Sequence, residues 1–243
     1  DESKVYPKSS MPSVQDYADA FLPFVKQNIP IICICITTKF SGSMQSAVNA
    51  KNMMSETYPD AQITVIDATV NTVLQGLYVL EAVRMQESGA EYQETIDRME
   101  EIKSTGRIFF TVGNMEYLQH GGRIGKVAGI AGSVLGIRPI ITLKQGEIFP
   151  SGIARSRKKS MEKTIDLILN YLNEQGESID HFSIAVGFGY DYEEAISYRD
   201  MVLKVLGENY GLQELPVYQI GATIGVHTGP YPLGLGIIKK SVL

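Results

Sequence analysis

Cysteine is scarce: 243 residues hold two, Cys33 and Cys35, and the C-x-x-C spacing of redox motifs and zinc ribbons is absent. Being neighbours but one on a strand face, they can pair only with strain, so packing is their expected role, in a reducing, cytoplasmic compartment. A basic excess is lacking too. Lys and Arg number 22 against 27 Asp and Glu, a net charge of −5, so no global positive field argues for nucleic acid. The apolar run from Ile31 to Ile36 follows Pro30 and ends after six residues, too short for a signal segment or a membrane span. No second His and no Asp/Glu cluster sits at metal spacing around His227, so zinc is not expected. Without G-x-x-x-x-G-K-[ST] there is no nucleotide phosphate loop, and without G-x-S-x-G no hydrolase elbow.

What is present begins with that apolar run, which stops in hydroxyls around one glycine: Thr37-Thr38-Lys39-Phe40-Ser41-Gly42-Ser43. This order predicts a buried strand of a parallel sheet feeding a helix from about Ser43 to Tyr58. The free N–H groups and partial positive charge at such a helix start favour a carboxylate or phosphate. Plain helix capping explains the same residues. Upstream, Ser13 is placed to cap a helix to about Lys26; downstream, Ile63–Asp67 reads as a strand, and helical spacing recurs over Thr72–Gln86 and Glu91–Lys103. These are βαβ units.

After Gly106 the style changes. Strands are expected at Ile108–Val112, Pro139–Leu143, Glu147–Ala154 and Phe182–Phe188, the middle two joined by a Lys144-Gln145-Gly146 turn. Helices are expected near Lys158–Asn173 and Tyr192–Asn209, a helical, glycine-rich segment over Glu116–Gly136, and strands at Val217–Ile220 and Gly234–Lys239 around a glycine-rich loop. The expectation is an α/β protein of two lobes, residues 1–105 with a parallel sheet and 106–243 with an antiparallel sheet and helices.

Three more segments stand out. Ser9 and Ser10 precede Pro12 in an extended loop, Arg123 follows the paired glycines 121 and 122, and His227 sits among glycines before Pro230. The one dense basic run, Arg155-Ser156-Arg157-Lys158-Lys159, reads as a solvated helix start or a dock for an acidic partner.

In order, these segments resemble the DegV family of bacterial fatty-acid-binding proteins. Lys8-Ser9-Ser10-Met11-Pro12-Ser13 is similar to its K-T-S-Q-P-S element, Phe40-Ser41-Gly42-Ser43 to L-S-G-T, Gly121-Gly122-Arg123-Ile124 to G-G-R-I, and Val226-His227-Thr228-Gly229-Pro230 to the H-x-G-P element. The resemblance implies two lobes holding a long-chain fatty acid, no metal or other cofactor, and a carrier without catalysis of its own. It implies that Ser9 and Ser41 hold the carboxylate, with Gly42, Ser43 and His227 beside it. Arg123, with Arg155 or Arg157, would serve contact with an ATP-dependent fatty-acid kinase that makes acyl phosphate. Departures are Ser9 for threonine, Met11 for glutamine and Ala68 after Asp67, where serine is usual. The family's opening strand and acidic-serine element are missing, and the chain begins at Asp1, so truncation is expected. Two rival readings stand beside the carrier: an enzyme on a small carboxylated or phosphorylated substrate with His227 as acid/base, and a lipid-sensing regulatory module.

Overall fold

The structure, a computed structural model, describes residues 6–131 and 136–242, so residues 132–135 of the expected glycine-rich segment lie outside the described residues. Helix α1 (Val14–Val25) starts in a capping box, Ser13 Oγ accepting from the Asp16 N–H while Asp16 Oδ2 accepts from the Ser13 N–H. Strand β1 (Ile31–Cys35), helix α2 (Ser43–Thr57) and strand β2 (Ile63–Asp67) follow. β1 and β2 pair in parallel, from Ile31 opposite Ile63 to Cys35 opposite Asp67. Phe21 and Val25 of α1 and Ala47, Ala50 and Met54 of α2 bury their apolar stripes against this two-stranded sheet.

Helices α3 (Thr72–Glu87) and α4 (Tyr92–Ile102) lead into β3 (Arg107–Thr111), and the short helices α5 (Glu116–His120) and α6 (Ala128–Ala131) precede β4 (Arg138–Lys144) and β5 (Glu147–Ala154). The β4–β5 turn is Gln145-Gly146, with φ of 51° and 83°. Two consecutive positive φ values make the tight hairpin whose twist matches its strands, and the second position calls for glycine.

Helix α7 (Arg157–Gln175), β6 (Phe182–Phe188), α8 (Tyr192–Tyr210), β7 (Val217–Gln219), α9 (Ala222–Thr228) and β8 (Leu233–Lys239) complete the chain. Six strands form one sheet in the order β5-β4-β3-β8-β6-β7. The sequence anticipates an antiparallel sheet; the sheet is mixed, because β7 runs parallel to β6. α8 lies between these two strands in the chain, and a helical crossover returns the next strand in the same direction.

α7 and α8 bury Ile168, Leu172, Tyr198 and Val202 on one side of this sheet. α3 and α4 bury Leu74, Tyr78 and Met99 in a second cluster with Ile108, Ile141 and Ala185 of its strands. Fully buried Glu81 of α3 ties the chain's end down: Ser241 donates to Oε2 from its N–H (2.8 Å) and Oγ (3.0 Å), Ser183 Oγ donates to Oε1 (2.6 Å), and Arg84 pairs with Oε1. The expected glycine-rich loop before β8 is in part helix α9. Packing of α9 on α5 outweighs the weak helix preference of its glycine.

Candidate functional site

A cavity of about 260 Å³ opens between the first turn of α3, strands β3 and β8, the loop after β1, and α9. Ile36, Phe40, Leu74, Phe110, Leu143 and Leu235 give it apolar walls. Ser9, Ser41, Gly42, Ser43, Arg123 and His227 also line it, so residues from four separate segments meet there.

Local contacts explain the meeting. Tyr6 stacks on His120 at 3.7 Å between ring centroids, and its hydroxyl donates to Glu116 Oε2 (3.0 Å), pinning the chain's start to α5. That places Ser9 Oγ 2.9 Å from His227 Nε2 on α9. α9 in turn lies so close to the end of α5 that a Cβ on Gly121 would overlap His227 Nδ1 and stand 3.0 Å from the Tyr117 carbonyl oxygen. Only glycine fits there.

Ser41 does two things at once. Its Oγ accepts from the Ser43 N–H (3.1 Å) at the start of α2, whose N-cap is Gly42, and lies 2.7 Å from Ser43 Oγ on the cavity wall. One orphan N–H of the helix start is thus taken by Ser41, while the two hydroxyls remain on the cavity wall. Arg123 joins the two motifs beside it: Nε donates to the Phe40 carbonyl (3.1 Å) and Nη1 to the Gly121 carbonyl (2.6 Å). Among the described residues no carboxylate pairs with it, which leaves a cation in the cavity wall. Burial, and then the Arg123 charge, push the His227 pKa down, so its imidazole is neutral at neutral pH. Its Nδ1 is buried beside the Gly121 backbone, which opposes that shift, and among the described residues no side chain hydrogen-bonds to it.

The basic run lies elsewhere. Arg155 is exposed, whereas Arg157 makes a bidentate pair with Glu194 of α8, Nε to Oε1 at 2.7 Å and Nη2 to Oε2 at 2.6 Å. Neither lines the cavity.

Asn71, Thr72 and Thr223 line the cavity as well, and sequence reasoning missed them. Thr69 and Thr72 hold φ of 54° and 53°, a left-handed conformation that β-branched residues rarely adopt. The available signal was a second strand running into a helix through polar residues, β2 into α3, on the same pattern as the Ser41 loop. Among the described residues no group of three or more His, Cys, Asp or Glu could hold a metal ion, and no helix is long and apolar enough to cross a membrane.

The family model described as "Uncharacterised protein, DegV family" matches residues 1–240. This chain belongs to the DegV family. Among solved structures, a stearic-acid-binding protein from Eubacterium ventriosum is 44% identical, with a TM-score of 0.91, the match covering 99% of this chain and 80% of that one. A fatty-acid-binding DegV protein from Thermus thermophilus is 27% identical, with a TM-score of 0.86 and coverage of 98% and 81%. A DegV domain-containing protein of Clostridium perfringens is 29% identical over 97% of this chain and 80% of its own length. The α/β fold, a small parallel sheet beside a larger mixed one, is the fold of the DegV structures.

Proposed function

We propose that this DegV protein carries a long-chain fatty acid, its acyl chain in the apolar cavity and its carboxylate at Ser9, Ser41, Ser43 and His227. We further propose that it presents that carboxylate to an ATP-dependent fatty-acid kinase for conversion to acyl phosphate. The observation that carries the reading is an apolar cavity that also holds hydroxyls, a neutral imidazole and Arg123, a cation that no carboxylate pairs among the described residues. Stearic-acid binding by the 44% identical relative supports it.

The forces divide the labour. Each buried CH₂ contributes about 0.8 kcal/mol, so tail burial supplies affinity. A charge-assisted hydrogen bond contributes about 1.5–3 kcal/mol, enough to fix which end of the ligand lies at the serines.

The Ser9–His227 pair also favours a second reading, a nucleophile and its base in an enzyme acting on a small substrate. In a catalytic triad a carboxylate holds the base at its other nitrogen, and among the described residues no carboxylate hydrogen-bonds to His227, whose Nδ1 faces the Gly121 backbone. That difference favours the carrier.

Native mass spectrometry of the purified protein is the test. A bound mass matching a fatty acid, released by delipidation and restored on adding the acid, is expected; a protein that never takes up fatty acid would refute the reading. Turnover of a small polar ester or phosphate without a kinase would establish the enzyme instead.

A further inference from the structure

The two cysteines lie outside the cavity lining and have so far been given only packing to do. The fold turns their side chains toward each other. Cys33 Sγ and Cys35 Sγ are 3.8 Å apart on one face of β1, and the Tyr17 hydroxyl of α1 lies 3.8 Å from Cys35 Sγ. Cys33 is half-buried and gives the pair its contact with solvent, while Cys35 is buried.

We infer that Cys33 and Cys35 form an oxidation site, a dithiol that hydrogen peroxide converts to an intramolecular disulfide and that a thiol reductant restores. The Cys35 thiolate attacks one peroxide oxygen and the O–O bond breaks, giving a sulfenic acid and hydroxide. The Cys33 sulfur then attacks the Cys35 sulfur, the S–O bond breaks and water leaves. Two thiols and one peroxide become one disulfide and two waters.

Acidity, not exposure, sets the order of these steps, since the sulfur nearer solvent is that of Cys33 and peroxide must pass it to reach Cys35. The hydrogen bond from the Cys33 thiol, followed by that of Tyr17, lowers the Cys35 pKa to about 7 against the opposing effect of burial. The same sulfur–sulfur contact, together with burial, raises that of Cys33. One group is therefore available as the thiolate and the other as the resolving thiol.

Strand geometry explains why the bond would be labile. Residues two apart on a strand have Cα atoms about 6.6 Å apart, near the upper end of the roughly 4.4–6.8 Å that disulfides span. Closure must pucker β1 around residue 34, and strained disulfides are the readily reduced ones.

The pucker has somewhere to go. The Cys35 carbonyl accepts from the Ala68 N–H (2.9 Å), and the Thr37–Ser43 loop begins two residues on. Oxidation should therefore loosen the serine loop. Its consequence for a bound carboxylate rests on the fatty-acid reading; the disulfide and the loosening do not.

The experiment uses the full chain, freed of lipid and treated with hydrogen peroxide. Intact mass should fall by about 2 Da with loss of both alkylatable thiols, and dithiothreitol should restore both. Hydrogen exchange in the peptide containing residues 37–47 should quicken several-fold in the oxidised form. Cys33→Ser should stop at a dimedone-trapped sulfenic acid on Cys35, with no loss of 2 Da. Two thiols that persist, that oxidise separately to sulfinic acids, or that link two chains would overturn the site. A disulfide with unchanged exchange over residues 37–47 would overturn the coupling. None of these readouts depends on lipid, so a failure of fatty-acid binding is seen separately.

Discussion

Ser9 Oγ and His227 Nε2 stand 2.9 Å apart although 218 positions separate them in the chain. This contact joins the extended segment before α1 to α9 in the wall of an apolar cavity. It depends on two neighbours: Tyr6, which holds the arm on α5, and Gly121, which leaves room for the imidazole.

Ser9→Ala and Ser41→Ala should each weaken fatty-acid binding about 10–100-fold, the equivalent of one charge-assisted hydrogen bond of roughly 1.5–3 kcal/mol. The double variant should still hold lipid through its tail. Displacement of a fluorescent fatty acid measures both effects, and unchanged affinity in the double variant would remove the carboxylate from this end of the cavity.

Gly121→Ala places a methyl group against His227 Nδ1 and the Tyr117 carbonyl. Overpacking of this kind costs about 1–3 kcal/mol. Thermal unfolding should show the loss, and lipid retention should fall with it, since α9 must move away from Ser9. A variant with wild-type stability and retention would show that α5 and α9 are further apart than described.

Arg155 and Arg157 should part company. Exposed Arg155 is free to meet a partner, so Arg155→Glu should lower kinase-dependent acyl phosphate formation while leaving lipid retention intact. Arg157→Ala breaks the bidentate pair with half-buried Glu194 and should cost about 1–3 kcal/mol of stability. Assays of turnover, retention and melting on both variants separate the two roles; equal effects on all three would merge them.

Glu81→Ala removes the buried acceptor of Ser241 and Ser183 and the partner of solvent-accessible Arg84. Leaving the two buried serines without an acceptor should cost about 1–3 kcal/mol each. Denaturant unfolding, with proteolysis to follow release of the chain's end, checks it. A loss under about 1 kcal/mol would mean that water replaces the carboxylate easily.

His227 supplies the pH dependence. Its folded pKa lies below the ordinary 6.5, through burial first and Arg123 second. Below 6.5 the unfolded chain therefore binds this proton before the folded one does, so the stabilisation is complete above that pH and is lost as pH falls through it toward the folded value. Melting of the lipid-free wild type should drop relative to His227→Gln between about pH 7.5 and about pH 5. A constant difference between the two proteins would contradict this.

The sequence by itself determined what depends on near neighbours. Hydrophobic spacing and capping residues set most helices and strands to within a residue or two. Ser13 announces α1, and the Lys144-Gln145-Gly146 turn announces a hairpin, because each acts over at most four residues. The Ser41 loop was legible as an anion site for the same reason, and only its resemblance to a family connected it with Ser9, Arg123 and His227. Tertiary structure decided which distant groups meet. It turned the glycine-rich stretch before β8 into helix α9, gave Arg157 to Glu194, set β7 parallel to β6, and brought the sulfurs of Cys33 and Cys35 to 3.8 Å beneath Tyr17. Those outcomes depend on how whole elements pack and on side-chain rotamers chosen by that packing, information spread over residues too far apart for any local pattern to carry.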